Sequence, residues 1–356
     1  MKNFRYYNAA LIGMVVAYML VLVFASRDIQ PFTGDLTRLG GYPEKDYGWN
    51  TPLLGFENRL FDFANDLSQY NRHYDVIIIG DSFSRDSVFG WQNFLISQTG
   101  LSVLTFHVDR LNIDDLVNSP QFHSSPPFAV VYQSVERVAL TRLSRPAMQR
   151  LPDLTPRTIS LAPRNMSRTG PTPIPLTRQT EEKGFVERMN MASNMYMKMF
   201  FRDVLGVNIT EVATLPLKKA WFSSEKSDEI VFLQSHLLPA TLALDRMESA
   251  LLGARKLKGM IEQNGNTKLY LMFFPNEISV YRDQLQSPEI KVASLMDHFD
   301  DFNQDDIVRL DKAFQSALDA GLVDLYLPND THTSSVGYKI AAEKLMGKMI
   351  EDKLIR

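Results

Sequence analysis

Val76-Ile77-Ile78-Ile79-Gly80-Asp81-Ser82-Phe83-Ser84 is the stretch from which the rest of the chain can be read. Four β-branched residues in a row favour a strand, and an unbroken apolar run marks one buried on both faces of a parallel sheet. The run stops at glycine, and Asp-Ser follows before a helical stretch. That puts the Ser82 hydroxyl at the carboxyl edge of a central strand, where open α/β sheets hold their ligands.

Outward from this stretch, apolar runs at 101–106 and 128–132 read as further strands, with helical patterns at 88–98 and 113–117 between them. The pattern resumes with strands at 268–274 and 322–327 and helices at 305–320 and 334–351. Strands alternating with helices imply βαβ units, and so a three-layer α/β domain with helices on both faces of a parallel sheet. A first helix is expected near 58–67 and long helices over 185–204 and 235–263, Pro239 falling in the first turn of the latter. Between Arg142 and Thr180, prolines stand at 146, 152, 156, 163, 171, 173 and 175, and Asp153 is the one acid among many arginines. This marks an inserted segment of about 142–235 with little regular structure at its start. The expected organisation is an anchor at 1–27, a tether and first helix at 28–70, and the α/β body at 71–356.

The 356 residues, 45% hydrophobic and 22% charged, suffice for a folded body with a sizeable core. A net charge of −3 gives no electrostatic footprint for nucleic acid, and no nucleic-acid partner is expected. With no cysteine, disulfides, thiolate metal sites and a cysteine nucleophile are excluded.

The stretch from Asn8 to Ala25 is uncharged and mostly apolar, and long enough to cross a bilayer core as a helix. Lys2 and Arg5 precede it, so the positive-inside bias puts the N-terminus in the cytoplasm and the body outside, although Arg27 weakens the asymmetry. We read it as an uncleaved signal-anchor. A cleaved signal peptide ending at Val23-Phe24-Ala25 is the alternative.

A neutral serine needs a base to become a nucleophile. Leu325-Tyr326-Leu327-Pro328-Asn329-Asp330-Thr331-His332 supplies one, together with its orienter. Residues two apart in an extended segment face one side, so Asp330 can hold His332 Nδ1 and leave Nε2 for Ser82. The amides of Ser82 and Phe83, at a strand-to-helix turn, are expected to be unpaired and able to hold an oxyanion. Gly80 allows the close turn, and Asp81 is expected to brace it through backbone N–H groups. Ser334 or Ser335 would cap the last helix.

Gly80-Asp81-Ser82-Phe83-Ser84 early in the body, with Asp330-Thr331-His332 before the last helix, resembles the SGNH (GDSL-type) hydrolase superfamily. The Asp-Thr-His spacing and the anchor look more specifically like its alginate O-acetyltransferase-like branch, whose members modify bacterial exopolysaccharides in the periplasm. Tyr132-Gln133-Ser134-Val135-Glu136-Arg137 and Pro275 with Val280-Tyr281 add to the likeness, which covers about 75–140 and 268–350. The resemblance implies a flavodoxin-like SGNH sheet, with Ser82 as nucleophile, His332 as general base and Asp330 as orienter. It also implies a glycan acceptor, a multispanning membrane protein as acyl donor, and a periplasmic body held by a single pass in the inner membrane. No cofactor is expected. The chain departs from the superfamily in having Asp-x-His for Asp-x-x-His, no Gly-x-Asn-Asp block and no oxyanion glycine, Gly100 lying on the wrong edge. Gln133 is taken as the substitute oxyanion donor. An esterase with the same three residues, or a non-catalytic polysaccharide-binding scaffold, are the other readings.

Other features have blander readings. His107 ends a strand at the carboxyl edge and is read as a satisfied histidine in preference to a pocket residue. His73, His123, His236 and His298 lack metal-ligand spacing. The acids at 297–306 read as a solvated loop and helix start, and Glu136-Arg137 as a structural ion pair. The arginine- and proline-rich segment reads as a surface loop, with an anionic polysaccharide as its alternative ligand. The methionines of 185–204 read as adaptable core packing.

Overall fold

A computed structural model of the chain describes residues 2–28, 30–85, 88–166, 170–176, 183–237, 239–302 and 305–356; side chains are described outside 2–5, 25–28, 240–241 and 300–302. Arg168 and Arg178 of the basic segment, and the Asp300 and Asp301 side chains, therefore lie outside the described residues. The chain divides into two compact units, one of Met1–Asn50, Arg178–Gln234 and Leu327–Thr331, the other of Thr51–Thr177, Ser235–Tyr326 and His332–Arg356.

The larger unit holds a six-stranded sheet: β1 (Asp62–Ala64), β2 (Val76–Gly80), β3 (Val103–His107), β4 (Ala129–Val135), β5 (Lys268–Phe274) and β6 (Ile307–Val308). Their order is β6-β5-β4-β2-β3-β1 and every pairing is parallel. β2 lies between β3 and β4, with Ile79 opposite Phe106 on one side and Tyr132 on the other. Its Val-Ile-Ile-Ile run is fully buried, as a strand covered on both faces must be. From β2 the order runs to β3 and then turns back to β4, so the crevice where α/β sheets bind ligands opens at the ends of β2 and β4.

Both faces of the sheet are covered by helices. Ile77, Ile79, Leu104, Phe106, Tyr132, Leu269 and Leu271 share one core with Leu140 and Leu143 of the Glu136–Leu143 helix and Ala254 and Leu257 of the Met247–Glu262 helix. On the opposite face, Phe274 meets Phe314 and Tyr338 of the Leu310–Asp319 and Ser335–Glu351 helices, with ring centroids at 6.5 and 5.9 Å. Ser334 caps the last helix, accepting from Val336 N–H at 3.0 Å.

Several expected elements differ. No helix forms at 58–67; the three residues of β1 lie there instead, beside β3. The expected strand at 322–327 is a loop, exposed at Leu322 and Val323 and buried from Asp324 onward. Asp324 takes φ 55°, Ser334 N–H donates to Leu325 O at 3.0 Å, and Tyr326 bridges only to Thr333. With the backbone committed to that loop, the sheet edge is filled by β6, which was expected inside a helix and precedes the actual one at Leu310–Asp319. The helix expected over 235–263 is confined to Met247–Glu262, because 3₁₀ turns and Ala243 at φ 52° interrupt what comes before.

The smaller unit contains residues expected to be a tether. Helices Asp35–Gly40 and Glu44–Tyr47 bury Leu36, Tyr42 and Tyr47 with Val212 and Val231 of an antiparallel pair, Val212–Pro216 with Glu229–Leu233. The methionine-rich helix spans Phe185–Met199 and continues as a π-helical turn, Phe200–Val204. The N-terminal helix, Lys2–Asp28, includes a stretch, Tyr6–Phe24, of 19 residues and mean hydropathy 2.1 that is long and apolar enough to cross a membrane.

Candidate active site

The turn after β2 is built to present one hydroxyl. Gly80 leaves no room for a side chain, since a Cβ there would stand 2.8 Å from Gln133 Oε1 and closer still to the Ser84 side chain. Asp81 then leaves the sheet and caps a short 3₁₀ turn, Ser82–Ser84, in which Phe83 and Ser84 are buried and Ser82 is exposed.

Asp81 does what the sequence suggests and more. Its Oδ1 accepts Phe83 N–H at 3.1 Å and Gln133 Nε2 at 3.0 Å. Its Oδ2 accepts Val135 N–H at 2.8 Å and Arg142 Nη1 at 2.5 Å. The Arg142 guanidinium also donates to Ser134 Oγ at 2.7 Å and to Asp109 Oδ2 at 3.3 Å. A buried carboxylate is tolerable only when paired and fully hydrogen-bonded, and here it is both.

This brace corrects two expectations. The Phe83 amide is not open to a ligand, because the Asp81 carboxylate takes it. Gln133 is not an oxyanion donor. It is fully buried, its Oε1 accepts Asp81 N–H at 3.0 Å and Ser84 Oγ at 2.7 Å, and its Nε2 is spent on Asp81. Among the described residues, the Ser82 amide has no hydrogen-bond partner.

His332 comes to the same edge. Its Nε2 lies 2.9 Å from Ser82 Oγ, a separation at which the hydroxyl donates to a neutral imidazole. Its ring rests on the Phe83 ring with centroids 4.7 Å apart, and Phe83 rests on Phe274 at 5.0 Å. The loop misread as a strand is its footing. Thr333 Oγ1 donates to Leu325 O and Ser334 Oγ to Asp324 O, fixing the residues just beyond the imidazole.

Asp330 belongs to the smaller unit, as the chain passes between units from Thr331 to His332. There its Oδ2 accepts Asp35 N–H at 3.3 Å, and the Asp35 carboxylate takes Thr331 N–H and Thr331 Oγ1, each at 3.0 Å. Three backbone and hydroxyl contacts thus hold the Asp-Thr pair before the histidine.

The expected Glu136-Arg137 ion pair is not seen among the described residues. Glu136 does not answer to Arg137: it accepts Asn276 N–H, Ser294 Oγ and Leu295 N–H, each at 2.6 Å, and burial pushes its carboxyl up. Arg137 donates to Asn276 Oδ1 at 3.2 Å. His107 accepts Asp109 N–H at 3.2 Å, and burial pulls its imidazole down. Asp297 forms a two-pronged pair with Arg282, 2.7 Å on each side. Buried His236 pairs with Glu277 at 2.9 Å.

Sequence reasoning missed Arg142, Ser84 and Trp91. Arg142 was read into the basic insertion, yet it stands among buried Ala139, Leu140 and Leu143 on the inward face of its helix. A lone arginine on such a face signals a buried partner. Trp91 Nε1 donates to Ser84 Oγ at 3.2 Å, tying the next helix to the turn.

Comparison with family models, curated proteins and solved structures brings no match.

Proposed function

We propose that this chain is a membrane-anchored, extracytoplasmic serine O-acyltransferase that passes an acetyl group to a hydroxyl of an exopolysaccharide or cell-surface glycan. The observation that carries it is an exposed Ser82 hydroxyl 2.9 Å from His332 Nε2, on a turn whose Phe83 amide and Ser84 hydroxyl are already committed. In this reading Ser82 Oγ attacks the acyl carbonyl carbon as Nε2 takes its proton, and the oxyanion faces the Ser82 amide. Collapse leaves acyl-Ser82, and the departing group takes the proton back from His332. A glycan hydroxyl then gives its proton to Nε2, attacks the acyl carbon and leaves as the ester, restoring Ser82. Asp330, two residues before the base, is its orienter.

The strand order, with the serine at its turning point and the histidine before the last helix, fits the SGNH-like arrangement expected from the motifs. The apolar helix would hold the body on the periplasmic side of the inner membrane. Acetyl-CoA is cytoplasmic, so a multispanning membrane protein would deliver the acyl group. The exposure of Ser82 favours one second reading, an esterase in which water replaces the glycan.

A fluorophosphonate probe should label the full chain and fail on Ser82→Ala and His332→Ala. With p-nitrophenyl acetate and an oligosaccharide, acetylated sugar supports the transferase and free acetate alone supports the esterase. Absence of labelling, with glycan acetylation unchanged in cells carrying Ser82→Ala, would reject both.

A further inference from the structure

Beside the nucleophile turn the larger unit contains a cavity of about 410 Å³ that neither Ser82 nor His332 lines. That is within the size range of small-molecule sites, about 300–1,000 Å³. Its floor is apolar, formed by Val108, Ile113, Tyr132, Met148 and Leu151, all buried. Its polar lining is cationic: Arg110, Arg142, Arg145 and Arg150 stand against Asp109 and Asp114.

The pairing of these charges leaves an excess. Asp109 accepts Arg145 Nη1 at 2.6 Å, and Arg142 has Asp81 as its close partner at 2.5 Å besides reaching Asp109 at 3.3 Å, so the excess lies at Arg110 and Arg150. Arg110 donates to the neutral Asn65 Oδ1 at 3.2 Å. Arg150 has no carboxylate partner among the described residues. Arg142, only 9% exposed, keeps a buried Nε–H with no acceptor. A buried guanidinium donor is rarely left unmet.

We propose that this cavity binds a small organic anion, a carboxylate with an apolar body. The carboxylate meets the guanidinium forks, whose planar geometry matches it two-pronged, and the body lies on Ile113, Met148 and Leu151. Arg142 contacts both the cavity and Asp81, so an occupant is coupled to the turn that carries Ser82.

The test is isothermal titration of the full chain in nanodiscs, with empty nanodiscs as blank, using 2-naphthoate and its neutral counterpart 2-naphthylmethanol. One saturable naphthoate site is expected, with the alcohol at least about tenfold weaker, as a charge-assisted contact implies. Arg150→Ala should weaken naphthoate about tenfold and leave the alcohol unmoved. Met148→Trp, which fills the floor, should abolish both with the circular dichroism unchanged. Ser82→Ala should leave naphthoate binding intact, which separates this site from the acyl-transfer reading. Equal binding of acid and alcohol, or no effect of Arg150→Ala and of Arg110→Ala, would overturn it.

Discussion

Replacing Arg142 by methionine keeps most of the side-chain volume and removes the cation that pairs with Asp81 at the Ser82 turn. The Asp81 carboxylate, 3% exposed, then retains Phe83 N–H, Gln133 Nε2 and Val135 N–H but no counter-charge. Breaking a buried pair from one side costs about 3–5 kcal/mol. Three surviving neutral donors argue for the lower end, roughly 3 kcal/mol. The loss of contact with half-exposed Asp109 adds little. For a unit of this size about 2–4 °C per kcal/mol applies, so the melting temperature should fall by roughly 6–12 °C. The assay is thermal unfolding followed by far-ultraviolet circular dichroism, with Asp81→Asn and the double variant beside it. Since the two groups touch, the double variant should lose less than the sum of the singles by at least about 1 kcal/mol. Hydrolysis of p-nitrophenyl acetate should drop about a hundredfold in kcat, as Ser82 loses its placement. A melting point within 2 °C of the parent, or strict additivity, would refute the view that this pair sets the turn.

Gly80→Ala should lower hydrolytic activity and cost about 1–3 kcal/mol, because its methyl group meets Ser84 and Gln133, read by the same melts and rate assay. Gln133→Ala should destabilise by about 1–3 kcal/mol, through orphaning Asp81 N–H and Ser84 Oγ; fluorophosphonate labelling should slow without vanishing, since no oxyanion donor is lost. Burial alone would raise the Glu277 carboxyl, but His236 at 2.9 Å together with the Arg137 charge and a backbone hydrogen bond outweighs it and holds the group below the usual glutamate value. Its stabilising contribution is therefore full above the ordinary glutamate pKa, near 4.5, and lost as pH falls through the lower folded value. In His236→Gln the partner that most opposes burial is removed, so the loss of stability on the acid side of 4.5 should shrink, read as a flatter melting-point profile; an unchanged profile would reject the pairing. Val15→Arg, in the middle of the apolar helix, should release the chain from carbonate-washed membranes.

The parts of the fold that were legible carry their own signal. β2 and β5 are long apolar runs, and the Ile113–Val117 and Ser335–Glu351 helices have caps written beside them, Asn112 and Ser334. β1 and β6 are two or three residues long, and their extended form comes from β3 and β5 rather than from their composition. The 322–327 run failed for the opposite reason: it is mostly apolar and buried from Asp324 on, but its backbone there is claimed by Thr333 and Ser334. Of the candidate site, the meeting of Ser82 and His332 was legible because chemistry restricts which residues could serve as nucleophile and base. Gln133 was misassigned because its location at a strand end was right while its amide was already claimed by Asp81 and Ser84, partners that only tertiary structure reveals.

Trp91 is the sole tryptophan of the larger unit, Trp49 and Trp221 lying in the smaller one. Its indole N–H reaches Ser84 Oγ, two residues past Ser82. With phenylalanine at 49 and 221, the chain would carry a single tryptophan bonded to the turn that holds the proposed nucleophile. Emission wavelength and quenching would then gauge acylation of Ser82, or any rearrangement of its loop, in real time and without an attached dye.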